Sequence, residues 1–143
     1  MKLIIGGDHA GYQLKEKFKT AAAEWGHEIV DAGPHSESSC DYPDFAHPVA
    51  QSVVANDSDL GIVICGSGNG VNMVANKYAD IRSALCWEVE LAEMARSHND
   101  ANVLAVPARY ISEEKALDIF RVFLSTAFEG GRHANRVNKI ACA

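Results

Sequence analysis

No apolar run in the sequence approaches the roughly 18 residues that a membrane-spanning helix needs, so no span is expected. The opening Met1-Lys2-Leu3-Ile4-Ile5-Gly6-Gly7-Asp8 reaches a charge too soon for the apolar stretch of a secretory signal. Cysteine is sparse. Cys40, Cys65, Cys86 and Cys142 show neither a C-x-x-C spacing nor a zinc-type Cys/His spacing. A chain of this size can bury about two-thirds of its unfolded surface and needs no staples. A disulfide framework is therefore excluded, and a reducing, cytoplasmic setting is expected. Positive charge is also short, with 13 Lys and Arg against 19 Asp and Glu and a net charge of −6. That excludes nucleic acid or an anionic membrane as the main partner of the surface. It leaves room for a small anion held by a local group of arginines. Linkers, low-complexity segments and internal repeats are missing too, so residues 1–143 are expected to form one domain.

What the chain does have is alternation. Short β-branched runs at residues 2–6, 28–31, 60–65, 82–85 and 102–106 read as strands covered on both faces. Between them Leu14, Phe18, Ala21, Ala22 and Trp25 recur at helical spacing, as do Phe45, Val49 and Val53. A later helix carries Ala116, Ile119, Phe120 and Phe123, with Ser112 as N-cap and Glu113-Glu114 against the helix dipole. Strict β-α alternation implies an α/β, Rossmann-like three-layer domain: a five-stranded parallel sheet with helices on both faces. After the breaker Glu129-Gly130-Gly131, residues 132–140 form a last helix with no strand to follow, expected to pack on a partner subunit.

In open parallel sheets the site lies beyond the carboxyl ends of the strands. Two such ends carry chemistry here. One is Gly6-Gly7-Asp8-His9-Ala10-Gly11; the other is Cys65-Gly66-Ser67-Gly68-Asn69-Gly70, leading into a helix over residues 71–78. Closely spaced glycines let backbone N–H groups converge on an anion at a helix N-terminus. The same pattern also makes a plain turn. A P-loop is excluded, because Val71 and Asn72 stand where its Lys would be. A cysteine phosphatase is excluded because the sixth residue after Cys65 is Val71 rather than Arg. The dinucleotide fingerprint fails at Met73, although Asp31 stands near the place of a ribose-binding acid.

Cys65 ends a strand facing that helix N-terminus, a position that favours the thiolate. His98, before Asn99-Asp100, reads either as a tuned proton-transfer group or as a packing histidine. Arg132 and Arg136 are four apart and share a helix face, either solvated or converging on a phosphate.

Taken together, these residues resemble ribose-5-phosphate isomerase B and its relatives, the galactose-6-phosphate and allose-6-phosphate isomerases. The resemblance runs from Lys2 to about Ile140. It is carried by Gly7-Asp8-His9-Ala10-Gly11, Asp41-Tyr42-Pro43, the Cys65 loop, Ala75-Asn76-Lys77, His98-Asn99-Asp100-Ala101-Asn102-Val103-Leu104 and Glu129-Gly130-Gly131-Arg132-His133. It implies aldose–ketose isomerisation of a sugar phosphate with neither metal nor organic cofactor. It further implies that Cys65 moves the proton between C1 and C2, that His98 opens the ring and that Ser67 polarises the enediolate oxygens within the loop Gly66 to Gly70. By the same resemblance Asp8, His9 and Tyr42 line the sugar end and Asn99 bonds the substrate. Arg109, Arg132 and Arg136 hold the phosphate, with His133 nearby. Some family members carry Gly at Cys65 and Glu at Val71, so this chain falls on the thiol branch; Ser67 stands where others have Thr. The resemblance also implies a homodimer, or a dimer of dimers, with shared sites. We expect one chain to supply His98 and Arg109 and the other Cys65, Ser67 and Asp8.

Overall fold

The computed structural model describes residues 1–142. Strands β1 (Lys2–Gly7), β2 (Glu28–Asp31), β3 (Leu60–Cys65), β4 (Ser83–Leu85) and β5 (Val103–Pro107) alternate with helices. These are α1 (Tyr12–Glu24), α2 (Pro43–Val54), α3 (Asn69–Ala75), α4 (Val89–Ser97) and α5 (Glu113–Ser125); α6 (Arg132–Val137) comes last. The strands form one parallel sheet in the order β2-β1-β3-β5-β4. The expected α/β architecture is what forms. Its strand order is the part that local patterning does not carry. β5 is buried along its whole length and lies inside, while the short, half-buried β4 takes the edge.

Burial on both faces follows from the period of two along each strand. Leu60, Ile62 and Ile64 of β3 face one layer with Leu3, Ile5, Leu104 and Val106. There α1, α4 and α5 cover them through Phe18, Ala22, Ala92, Ala95, Ile119 and Phe120, and the Phe18 and Phe120 rings stack 4.4 Å apart. Val63 and Cys65 face the other layer, beneath Val49 and Val53 of α2 and Val71 and Ala75 of α3. The register thus aims the Cys65 side chain at the α2–α3 layer.

Local signals hold where they are local. Ser112 caps α5 by accepting from the Lys115 N–H at 3.1 Å. β4 starts one residue later than expected, because the Arg82 N–H is taken by the Asn102 side chain at 2.8 Å. α3 occupies Asn69–Ala75 rather than residues 71–78, and α6 stops at Val137 rather than residue 140. A helix of six residues with none buried has no packing gain to prolong it. Within one chain α6 packs substantially on no other element, and no helix among the described residues is long and apolar enough to cross a membrane.

Candidate active site

β1 leads outward to β2 on one side while β3 lies on its other side, so the carboxyl ends of β1 and β3 form the switch point of the sheet. A cleft of about 350 Å3 opens there. Cys65, Gly66, Ser67 and Gly70 line one wall, Asp8 and Tyr42 another, and Arg109 and Tyr110 the third. The Cys65 Sγ accepts the Gly68 N–H at 3.2 Å, which fixes the sulfur at the mouth of the glycine loop. Gly68 makes that contact from φ 74°, with the backbone of Val106 and Pro107 3.2 Å from where a Cβ would sit. Glycine is the residue that fits there. Ser67 Oγ accepts the Asn69 N–H at 3.2 Å, which leaves its own proton free to donate into the cleft.

The first strand end closes the opposite wall. Asp8 is buried, its backbone N–H donates to the Ile64 carbonyl and its Oδ1 accepts the Gly11 N–H at 3.0 Å. His9 Nδ1 accepts the Cys40 N–H at 3.3 Å, which puts the proton of the neutral ring on Nε2. The Tyr42 ring lies within 2.5–2.8 Å of where a Cβ on Gly70 would be, so it closes over the glycine loop. Of the other thiols, burial pushes Cys86 up to about 12, which leaves it inert, and Cys142 is exposed.

His98, Asn99, Arg132, His133 and Arg136 are elsewhere. α4 runs back from the carboxyl end of β4 to the amino end of β5, so His98, which caps it, stands at the amino edge of the sheet. A strand of six residues separates the two edges by about 20 Å. The loop after His98 is held firmly: Arg82 and Arg96 both reach the Asp100 carboxylate, and Asn102 bonds the Arg82 N–H and the Asp80 carbonyl. His98 stacks on His133, ring centroids 4.2 Å apart and planes 12° apart, with Glu129 beside both. Arg132 and Arg136 are exposed on α6, and Arg136 folds back to donate to the Arg132 carbonyl. Asn99 lines a separate cleft of about 550 Å3 with Asn76, Ser83 and Ile140.

One expectation needs correcting. Arg109 does not go with His98; it belongs to the Cys65 cleft of its own chain. β5 lies beside β3, the Ala108 and Arg109 N–H groups donate to the Cys65 and Gly66 carbonyls, and the Arg109 side chain passes 3.2 Å from the Cβ position of Gly66. Sequence reasoning also missed Tyr110 and Glu129. Tyr110 follows a strand end like the residues that were found, and Glu129 lies four residues before His133.

Asp31 is not free to bind a ribose. Burial pushes its carboxyl up, but hydrogen bonds from Lys15 at 2.6 Å, from Lys19 at 2.8 Å and from the Gly33 N–H outweigh this and hold it below the usual range. For a metal, His98, Glu129 and His133 place ligand atoms within 4.8 Å of one another. Rings stacked nearly parallel direct their lone pairs side by side, whereas one ion needs them to converge.

The model of the family described as "Ribose/Galactose Isomerase" matches residues 3–140. The chain belongs to the ribose/galactose isomerase family. Ribose-5-phosphate isomerase B of Escherichia coli is 42% identical over 139 residues, spanning 97% of this chain and 93% of that protein. The solved ribose-5-phosphate isomerase B of Clostridium thermocellum superposes with a TM-score of 0.96 at 47% identity, covering 98% of this chain and 95% of that one. The Mycoplasma genitalium family member, solved with bound ribulose 5-phosphate, gives a TM-score of 0.93 at 41% identity over 97% of this chain and 93% of that one. The family resemblance thus covers the full sheet and both of its edges.

Proposed function

We propose that this protein interconverts ribose 5-phosphate and ribulose 5-phosphate through an enediolate. The observation that carries the reading is the thiol of Cys65, bonded to the Gly68 N–H in a cleft walled by Asp8, Ser67 and Arg109. The Cys65 thiolate takes the C2 proton of the open-chain aldose, and the electron pair moves to the C1 carbonyl oxygen. The C2 hydroxyl proton passes to the C1 oxygen, and the thiol returns its proton to C1, which leaves the carbonyl at C2. Ser67 and the loop N–H groups from Gly66 to Gly70 meet the developing oxyanions, which a preorganised dipole stabilises most where charge appears. Asp8, His9 and Tyr42 position the sugar end, and Arg109 draws the anionic substrate inward.

His98 opens the furanose ring, Asn99 bonds the sugar, and Arg132 and Arg136 hold the phosphate with His133 beside them. These five stand at the opposite edge from Cys65, too far away for one small sugar phosphate to bridge. A second chain closes the gap by bringing its amino edge to the Cys65 cleft, which also covers the otherwise uncovered α6. Each site of a homodimer then takes its carboxyl-edge residues, Arg109 included, from one chain and its His98 set from the other.

Mixing Cys65→Ala with His98→Asn under conditions of subunit exchange tests this. A mixed pair carries both lesions in one site and leaves the other whole, so about half the wild-type activity per mixed dimer is expected. An exchanging mixture that stays inactive overturns the shared site. Because the family description names galactose as well as ribose, the second reading is a hexose phosphate isomerase. Parallel assays with ribose, allose and galactose phosphates decide between them, and inactivity on all three overturns the proposed activity.

A further inference from the structure

We propose that Glu129 is a positioning residue that holds one proton on the stacked His98–His133 pair. Its backbone N–H donates to the Ser97 carbonyl at 3.0 Å, which pins it beside the end of α4. Gly130 and Gly131 then reverse the chain at φ 68° and 55°, and the His133 N–H returns to the Gly130 carbonyl. That reversal lays the His133 ring over His98. Glu129 Oε2 comes 3.4 Å from His133 Nε2 and 3.9 Å from His98 Nε2.

Two imidazolium rings stacked this closely repel each other, whereas one proton shared by the pair faces a carboxylate that attracts it. The charged neighbours of His133 reinforce the point. Desolvation against its surroundings, the His98 ring, Arg132 and Arg136 all push His133 below its ordinary value, and Glu129 is the neighbour that pulls it up. Removing Glu129 therefore leaves groups that disfavour the protonated ring. The catalytic consequence rests on the reading of His98 as the ring-opening group; the placement of the proton does not. Opening breaks the C1–O4 bond, moves a proton from the imidazolium to O4 and releases the C1 hydroxyl proton to water, from which the ring is recharged.

Glu129 is largely exposed, so its substitution spares the core. The test follows the His133 ring by NMR across pH in the whole protein, in wild type, Glu129→Gln and Glu129→Asp. Alongside it runs the pH profile of kcat/KM on ribose 5-phosphate. The expected result is a His133 midpoint about one pH unit lower in Glu129→Gln, with Glu129→Asp retaining most of the wild-type value. The alkaline limb of the activity profile then moves to lower pH. A midpoint unchanged in Glu129→Gln, or lowered equally in Glu129→Asp, overturns the proposal. A lowered midpoint with an unmoved alkaline limb sustains the proton on the pair and refutes ring opening by His98.

Discussion

At the carboxyl edge of the sheet, Cys65 is buried, its Sγ is met by a backbone N–H, and the surrounding loop is tied to β5 by main-chain hydrogen bonds. At the amino edge, the loop after His98 is pinned by Arg82 and Arg96, but the α6 residues that accompany it have no buried member. The first region is finished by its own chain and the second is half-built. A group that abstracts a proton from carbon needs fixed geometry, which the sheet supplies. Groups that clamp a phosphate can work from an exposed face, which the proposed second chain would cover.

The largest effect is expected at the buried edge. Cys65→Ala removes the proposed base and is expected to lower kcat by about 10²–10⁴-fold, while binding of a sugar phosphate persists. Steady-state kinetics beside calorimetric titration check both parts. Retained turnover would move the chemistry away from the thiol.

Gly68→Ala comes next. It forces a side chain onto φ 74° and against Leu85 and the backbone of β5. A stability loss of about 2–3 kcal/mol in urea denaturation is expected, together with loss of activity as the Gly68 N–H leaves Cys65. An alanine there without cost would mean that the carboxyl edge is no more rigid than the amino edge.

Arg136→Ala belongs to the half-built edge and touches binding more than chemistry. A lost charge-assisted bond to phosphate is expected to raise KM roughly tenfold, with a smaller fall in kcat. An unchanged KM would leave Arg132 and Arg136 as a solvated face. The smallest effect is expected for Gly26→Ala, just past the end of α1, which has φ 84° but nothing within 4 Å of its Cβ position. It should cost about 1 kcal/mol in the same denaturation assay. The contrast between Gly68 and Gly26 thus measures packing separately from backbone strain.

The carboxyl-edge site was legible because its signals are short. A thiol closing an apolar run, followed by closely spaced glycines, already marks a strand end meeting a helix N-terminus. Asp8 and Tyr42 came with the family resemblance, and the cleft brings both to Cys65. Arg109 was placed with the wrong companion, since nothing near position 109 says which strand lies beside β5. Tyr110 escaped notice for the same reason. Glu129 was visible only as the start of a breaker until α6 folded His133 back towards it.

By itself the sequence determined the β-α alternation, the parallel class of the sheet, the capped start of α5 and the thiol at the end of β3. Each is decided by periodicity or capping within one or two turns of chain. Tertiary structure alone decided that β5 lies inside and β4 at the edge, and with it that Arg109 shares the cleft of Cys65 while His98 stands across the sheet. Strand order is settled by competition among whole segments for burial on both faces. The fully apolar β5 gains more from the interior than the short β4, and no local stretch of sequence contains that comparison.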